Sequence, residues 1–210
     1  MVWVVADATI NGSETGTSFK QALFAIECGF RLHDTMIFSK MGLPLTHNRY
    51  EQYFEYMFVF SKGKPKTFNP LLKSNKYYGK ETGVMSDNIK ITRDKNSLSG
   101  SAKNINVNKQ GYRGNIWHYP VGYMQTTKDK IAFQHPAIFP DQLAIDHILS
   151  WSNECDTVLD CFMGSGTAGV ACAKLNRDFI GIEINDVYFD IAKERIAAAS
   201  HNLVNMFGDN

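Results

Sequence analysis

The stretch Asp160–Asn185, DCFMGSGTAGVACAKLNRDFIGIEIN, restricts the possible folds more than any other part of the chain. TVLDCF, at its start, is a β-branched and apolar run that reads as a strand. GSGT then turns the backbone sharply, because glycines at 164 and 166 accept conformations closed to other residues. TAGVACAKLN predicts a helix, and DFIGIEI a second strand ending near Glu183. Strand, tight turn, helix and strand within about 30 residues make a βαβ unit, which demands parallel strands and a right-handed crossover.

The remainder fits around that unit. VWVV (Val2–Val5) predicts a buried strand, and SFKQALFAIECG a helix capped by Ser18 and stopped at Gly29. DTMIFSK and YEQYFEYMFVFSKG predict two more strands. HPAIFPDQLAIDHILSW predicts a helix with Leu143, Ile148 and Trp151 on one face, and VYFDIAKERIAAAS a closing helix. Between Lys64 and Lys130 the chain is rich in Asn, Ser, Lys and Gly with weak periodicity, as expected of an irregular insertion. Three segments follow: residues 1–63, an insertion over 64–130, and a second half over 131–210.

Net charge is +1, but the region Lys62–Arg113 holds twelve basic residues against three acidic ones, a local +9 set against −8 elsewhere. Such a block suits a polyanion on one face; the plainer alternative is a solvated lysine-rich loop. The four cysteines form no C-x-x-C pair and have no histidine at zinc spacing, so no metal site is expected. Three of them sit in apolar sequence and read as small buried hydrophobes, in keeping with a reducing cytoplasm. No apolar run is long enough for a membrane span, and MVWVVADATI lacks the features of a signal peptide. These features predict a cytoplasmic location with no membrane partner.

A glycine turn ahead of a helix aims free main-chain amides at a ligand, and a carboxylate about twenty residues on accepts hydrogen bonds from ribose hydroxyls. Gly164, Gly166 and Gly169 satisfy a dinucleotide fingerprint, whereas no lysine follows in the position a phosphate loop requires. Asp160 argues against a pyrophosphate, which it would repel. A cationic ligand carrying an amino group, such as S-adenosylmethionine, suits it better.

VLDCFMGSGTAGVACAKLNRDFIGIEINDVYFDIAKERI closely resembles the cofactor-binding segment of DNA methyltransferases that modify exocyclic amines of adenine or cytosine. That family's D-P-F-x-G-S-G-T pattern is met by Asp160, Phe162, Gly164, Ser165, Gly166 and Thr167, with Cys161 in place of proline. Its R-x-x-I-G-x-E, Y and A-x-x-R-I elements are met by Arg177, Ile180, Gly181, Glu183, Tyr188, Ala192, Arg195 and Ile196. HPAIFP similarly resembles the family's H-P-x-x-x-P segment. The resemblance implies an α/β, Rossmann-like S-adenosylmethionine methyltransferase sheet in permuted order: catalytic half, recognition insertion, cofactor half. Cofactor contacts are then implied at His135, Pro136, Phe139, Asp160, Phe162, Gly164, Ser165, Gly166, Thr167 and Glu183. The basic block falls where the insertion belongs, so duplex DNA contacts are implied at Arg49, Lys62, Lys64, Lys66, Lys73 and Lys76. Lys90, Arg93, Lys95, Lys103, Lys109 and Arg113 complete that set.

The family's catalytic loop is [D/N/S]-P-P-[Y/F/W], which holds the flipped base and its amine. No Pro-Pro pair occurs here; Asn69-Pro70-Leu71 and Tyr119-Pro120-Val121 come nearest and read as ordinary turn prolines. In family order that loop precedes a strand like MVWVV. The resemblance therefore implies that no catalytic residue lies within 1–210. It also implies a sheet incomplete at its N-terminal part and an apolar edge open to a second copy or a partner. The expected function is site-specific methylation of adenine, in preference to cytosine, with the chain inactive alone. Alternatives are a non-catalytic cofactor- or DNA-binding module needing a partner chain, an RNA or small-molecule methyltransferase, and an NAD enzyme.

Overall fold

A computed structural model describes residues 1–41, 50–75 and 109–207. In chain order come β1 (Val2–Val5), β2 (Thr9–Ile10), β3 (Ser13–Glu14), α1 (Thr17–Glu27), β4 (Arg31–Ser39) and β5 (Phe54–Ser61). There follow β6 (Leu72–Ser74), β7 (Gln110–Tyr112), β8 (Ile116–His118), a 3-10 turn (Ile131–Gln134) and α2 (Asp141–Trp151). The chain closes with β9 (Thr157–Asp160), α3 (Thr167–Lys174), β10 (Asp178–Gly181) and α4 (Asp186–Phe207). Contacts divide it into two compact units, one of Met1–Asn69 with Gly114–Asn210, the other of Pro70–Arg113.

The first unit holds a four-stranded sheet in the order β1-β5-β4-β8. β5 is antiparallel to both neighbours, pairing Met57 with Val4 on one side and with Met36 on the other, while β8 runs parallel to β4. FEYMFVF lacks polar alternation because β5 is central: Met57, Phe58, Val59 and Phe60 are all buried. α1 covers one face of this sheet, seating Ala22 on Phe58 and Phe60 beside Trp3 and Phe30. β9 and β10 form a separate parallel pair, with Leu159 opposite Ile180. Val158 and Phe179 of this pair pack on Ala144, Ile148, Ala171 and Cys172 of α2 and α3. Leu159, Ile180 and Ile182 stay exposed.

In the second unit β6 and β7 pair antiparallel, Leu72 opposite Tyr112 and Ser74 opposite Gln110. This unit is narrower than residues 64–130. Gly114–Lys130 packs with the first unit, where Trp117 and Tyr119 are buried and the Trp117 indole donates to the Gly114 carbonyl at 2.8 Å.

Three local expectations are corrected. Ser18 is not the cap of α1; Gly16 holds that position at φ 62, and Asp7 reaches across to accept from the Ser18 amide at 3.0 Å and its hydroxyl at 2.5 Å. Side-chain capping from a distant loop leaves no local sequence signature. Cys28, Cys155 and Cys161 are exposed and only Cys172 is buried, because the first three lie at turns rather than inside elements. β9 and β10 end at Asp160 and Gly181, so Phe162 and Glu183 sit in the connections beyond them.

Candidate functional site

The site gathers at the carboxyl ends of β9 and β10. Gly164 and Gly166 take φ values of 51 and 78, which L side chains adopt only with strain. A Cβ on Gly166 would lie 2.7 Å from the Ala192 Cβ on α4, so the turn presses directly on that helix. Gly169 is needed for close approach: a Cβ there would meet Ile196 at 2.3 Å and Phe179 at 2.7 Å.

Glu183 holds the turn from the neighbouring strand. One carboxylate oxygen accepts the Gly164 amide at 2.9 Å, and the other the Asn185 amide at 3.0 Å. The Asn185 amide and then the Gly164 amide are the main favourable contacts that lower the Glu183 pKa below the usual carboxylate value. Asp160 goes the other way. Burial raises its pKa, the Phe162 amide at 3.0 Å partly offsets that, and the Glu183 charge adds to the rise. No cationic side chain pairs with Asp160 among the described residues. Two carboxylates thus flank an amide-rich turn, an arrangement that attracts a cation bearing hydroxyl donors and repels a pyrophosphate.

His135 packs over the turn: a Cβ on Gly164 would be 3.1 Å from its Nε2. The Ala137 amide donates to His135 Nδ1 at 3.1 Å, so the neutral ring carries its proton on Nε2. The Tyr188 ring meets the imidazole edge-on at 4.3 Å between centroids.

Several expected contact residues are placed differently. Ser165 and Thr167 are buried, with their hydroxyls turned toward Arg195. Phe139 packs under α2 and α3. Phe162 is 75% exposed, its ring 6.0 Å from that of Trp3, and Pro136 is exposed. Tyr188 and Arg195 belong to the site although no role was read for them. Both stand in the quoted sequence pattern, and only the tertiary contacts give them a task.

The expected DNA-contact residues fall in both units and outside the described residues. Lys62, Lys64 and Lys66 line a groove of about 720 Å³ with Met1, Phe60, Trp151 and Asp156. Asp156 leads into β9, so these lysines gather at the amino end of the strand whose carboxyl end carries the glycine turn. Lys73, Lys109 and Arg113 belong to the second unit. Arg49, Lys76, Lys90, Arg93, Lys95 and Lys103 lie outside the described residues. Among the described residues no cluster of His, Cys, Asp and Glu could hold a metal ion, and no helix is long and apolar enough to cross a membrane.

A family model described as DNA methylase matches residues 1–194. The orphan methyltransferase M.BamHII of Bacillus amyloliquefaciens is 52% identical over 198 residues, covering 93% of this chain and 74% of the relative. DNA adenine methyltransferase YhdJ of Escherichia coli is 40% identical over 95 residues, 45% of this chain and 31% of that protein. The solved structure of an M1.HpyAVI–SAM complex superposes with a TM-score of 0.57 at 29% identity, covering 93% of this chain and 74% of that one.

Proposed function

The chain belongs to the family of S-adenosylmethionine-dependent DNA methylases, and from that premise we propose that it binds this cofactor at the glycine turn and serves methylation of adenine in duplex DNA. The observation that carries the cofactor reading is the carboxylate pair. Glu183, still able to accept hydrogen bonds, suits the ribose hydroxyls, and the partly buried, unpaired Asp160 suits a cationic amino group. The Nε2–H of His135, close over Gly164, supplies a donor beside them. When bound, S-adenosylmethionine supplies an activated methyl group on a sulfonium. The preference for adenine is supported by the similarity to YhdJ, whose name states that base. We assign residues 1–63 to the catalytic half, 64–130 to target recognition and 131–210 to the cofactor half. We place the protein in the cytoplasm, where exposed Cys28, Cys155 and Cys161 stay reduced.

Methyl transfer to an exocyclic amine needs acceptors that hold the nitrogen in line with the methyl. The chain contains no Pro-Pro loop to provide them. Its two sheets supply a place for one. β1 and β9 each lack a strand partner on one side among the described residues. Met1 and Val2 share the groove with Asn153 and Asp156 ahead of β9, while Trp3 meets Phe162 beyond its end, so β1 and β9 run in the same direction. A parallel strand between them would deliver the loop after it beside the glycine turn. We therefore propose that the 210-residue chain is inactive alone and that a strand-bearing segment, from a partner or a second copy, completes the sheet. A non-catalytic, partner-dependent module is the second reading that the same open edges favour.

Titration calorimetry with S-adenosylmethionine and NAD tests the cofactor; binding of NAD alone would reverse the assignment. Labelled methyl transfer to duplex DNA is then measured for the chain alone and for the chain co-expressed with the part of M.BamHII that it does not match. Incorporation into N6-methyladenine only in the second case is expected. Robust turnover by the chain alone would remove the need for a completing segment.

A further inference from the structure

Arg195 projects from α4 beneath the glycine turn and is 3% exposed. Its Nη1 donates to the Ser165 carbonyl, to the Ser165 hydroxyl at 3.1 Å and to the Thr167 hydroxyl at 3.4 Å. Its Nε donates to Asp129 Oδ2 at 2.6 Å, and its Nη2 faces Asp141 Oδ1 at 3.7 Å. Neither of those last two atoms has another hydrogen-bond partner. Asp129 in turn accepts the Ile131 amide at 3.1 Å, at the start of the 3-10 turn that ends against His135. One guanidinium therefore grips both walls of the site: Ser165, between the two left-handed glycines, and the segment that places His135 over Gly164.

We infer that Arg195 is a positioning residue that sets the spacing between the glycine turn and His135, through Asp129, and thereby tunes affinity for the methionine end of the cofactor. This rests on the cofactor reading above. The task needs the planar fork of arginine. A lysine ammonium is a point charge that cannot meet Ser165 and Asp129 in two fixed directions. Removing one partner of a buried ion pair destabilises a fold in its own right, so the test must separate spacing from stability.

Asp129→Asn keeps volume and one acceptor oxygen and lies on the far side of Arg195 from the turn. It is compared with the wild-type chain and Arg195→Lys by amide hydrogen exchange without ligand, and by calorimetric titration with S-adenosylmethionine and with adenosine. Both variants are expected to speed exchange over Met163–Thr167 and to weaken S-adenosylmethionine about tenfold or more, the scale of a charged hydrogen bond. Adenosine, which lacks the methionine end, is expected to bind both variants as it binds the wild-type chain. Unchanged exchange at Met163–Thr167 in Asp129→Asn overturns the coupling whatever the affinities. Equal loss of adenosine and S-adenosylmethionine overturns the positioning role in favour of general loosening. If the wild-type chain binds neither ligand, the cofactor reading fails and exchange alone decides whether Arg195 couples the two walls.

Discussion

At the scale of single residues, the site depends on a few groups held away from their ordinary states. Glu183 anchors Gly164 and presents its remaining lone pairs outward. Replacing it with Gln leaves the volume and removes the charge, so affinity for S-adenosylmethionine is expected to fall about 10- to 100-fold by calorimetry. Asp160 makes a different forecast. Its pKa is raised in the folded chain, so its contribution to stability is full below the ordinary aspartate value of 3.8 and is lost as pH rises through the higher folded value. Asp160→Asn is therefore expected to melt above the wild-type chain at neutral pH and level with it in acid, while binding the cofactor more weakly. Melting curves at about pH 3 and about pH 7 check this. Gly166→Ala combines a left-handed backbone with a Cβ 2.7 Å from Ala192. Roughly 2–5 kcal/mol of stability should be lost in urea denaturation. The glycines, Asp160 and Glu183 were legible in sequence because their chemistry is local: a turn needs glycine, and a strand-end carboxylate faces the turn.

At the scale of elements, helices and strands read well where apolar runs were long, and caps read poorly. β5 was legible as a strand through its apolar run, while its central place and the close approach of α3 to α4 and β10 came from the pairing and packing. The start of α1 was misread because Asp7 caps it from beyond β1, across the β2–β3 hairpin. The hydroxyl and then the amide of Ser18 hold the Asp7 pKa below the usual carboxylate value. That stabilisation is present above the ordinary aspartate value of 3.8 and disappears as pH falls through the lower folded value. Asp7→Asn should melt below the wild-type chain at neutral pH and converge with it in acid, as followed by circular dichroism. The cysteines taught the same lesson in reverse. Apolar neighbours in sequence do not bury a residue that falls at a turn, as exposed Cys28 and Cys161 show.

At the scale of the whole molecule, the basic block read from sequence spans both compact units and residues outside those described. Lys62, Lys64 and Lys66 gather at the amino end of β9, whereas Lys73, Lys109 and Arg113 belong to the second unit. If duplex binding runs through the recognition segment, replacing Lys73, Lys109 and Arg113 by Gln should lower the log–log salt slope by roughly 2–3. The same change at Lys62, Lys64 and Lys66 should lower it less, as read by fluorescence anisotropy across a salt series. Sequence by itself determined the βαβ unit, the glycine turn with its acidic partners, and the family, because each rests on residues close together in the chain. Only the tertiary structure decided that Ser165 and Thr167 turn inward to Arg195, that His135 closes over Gly164, and that Met1 lines a groove with Asp156 while Trp3 meets Phe162. Those facts depend on groups 28 to 159 residues apart, whose meeting is fixed by packing rather than by any local preference.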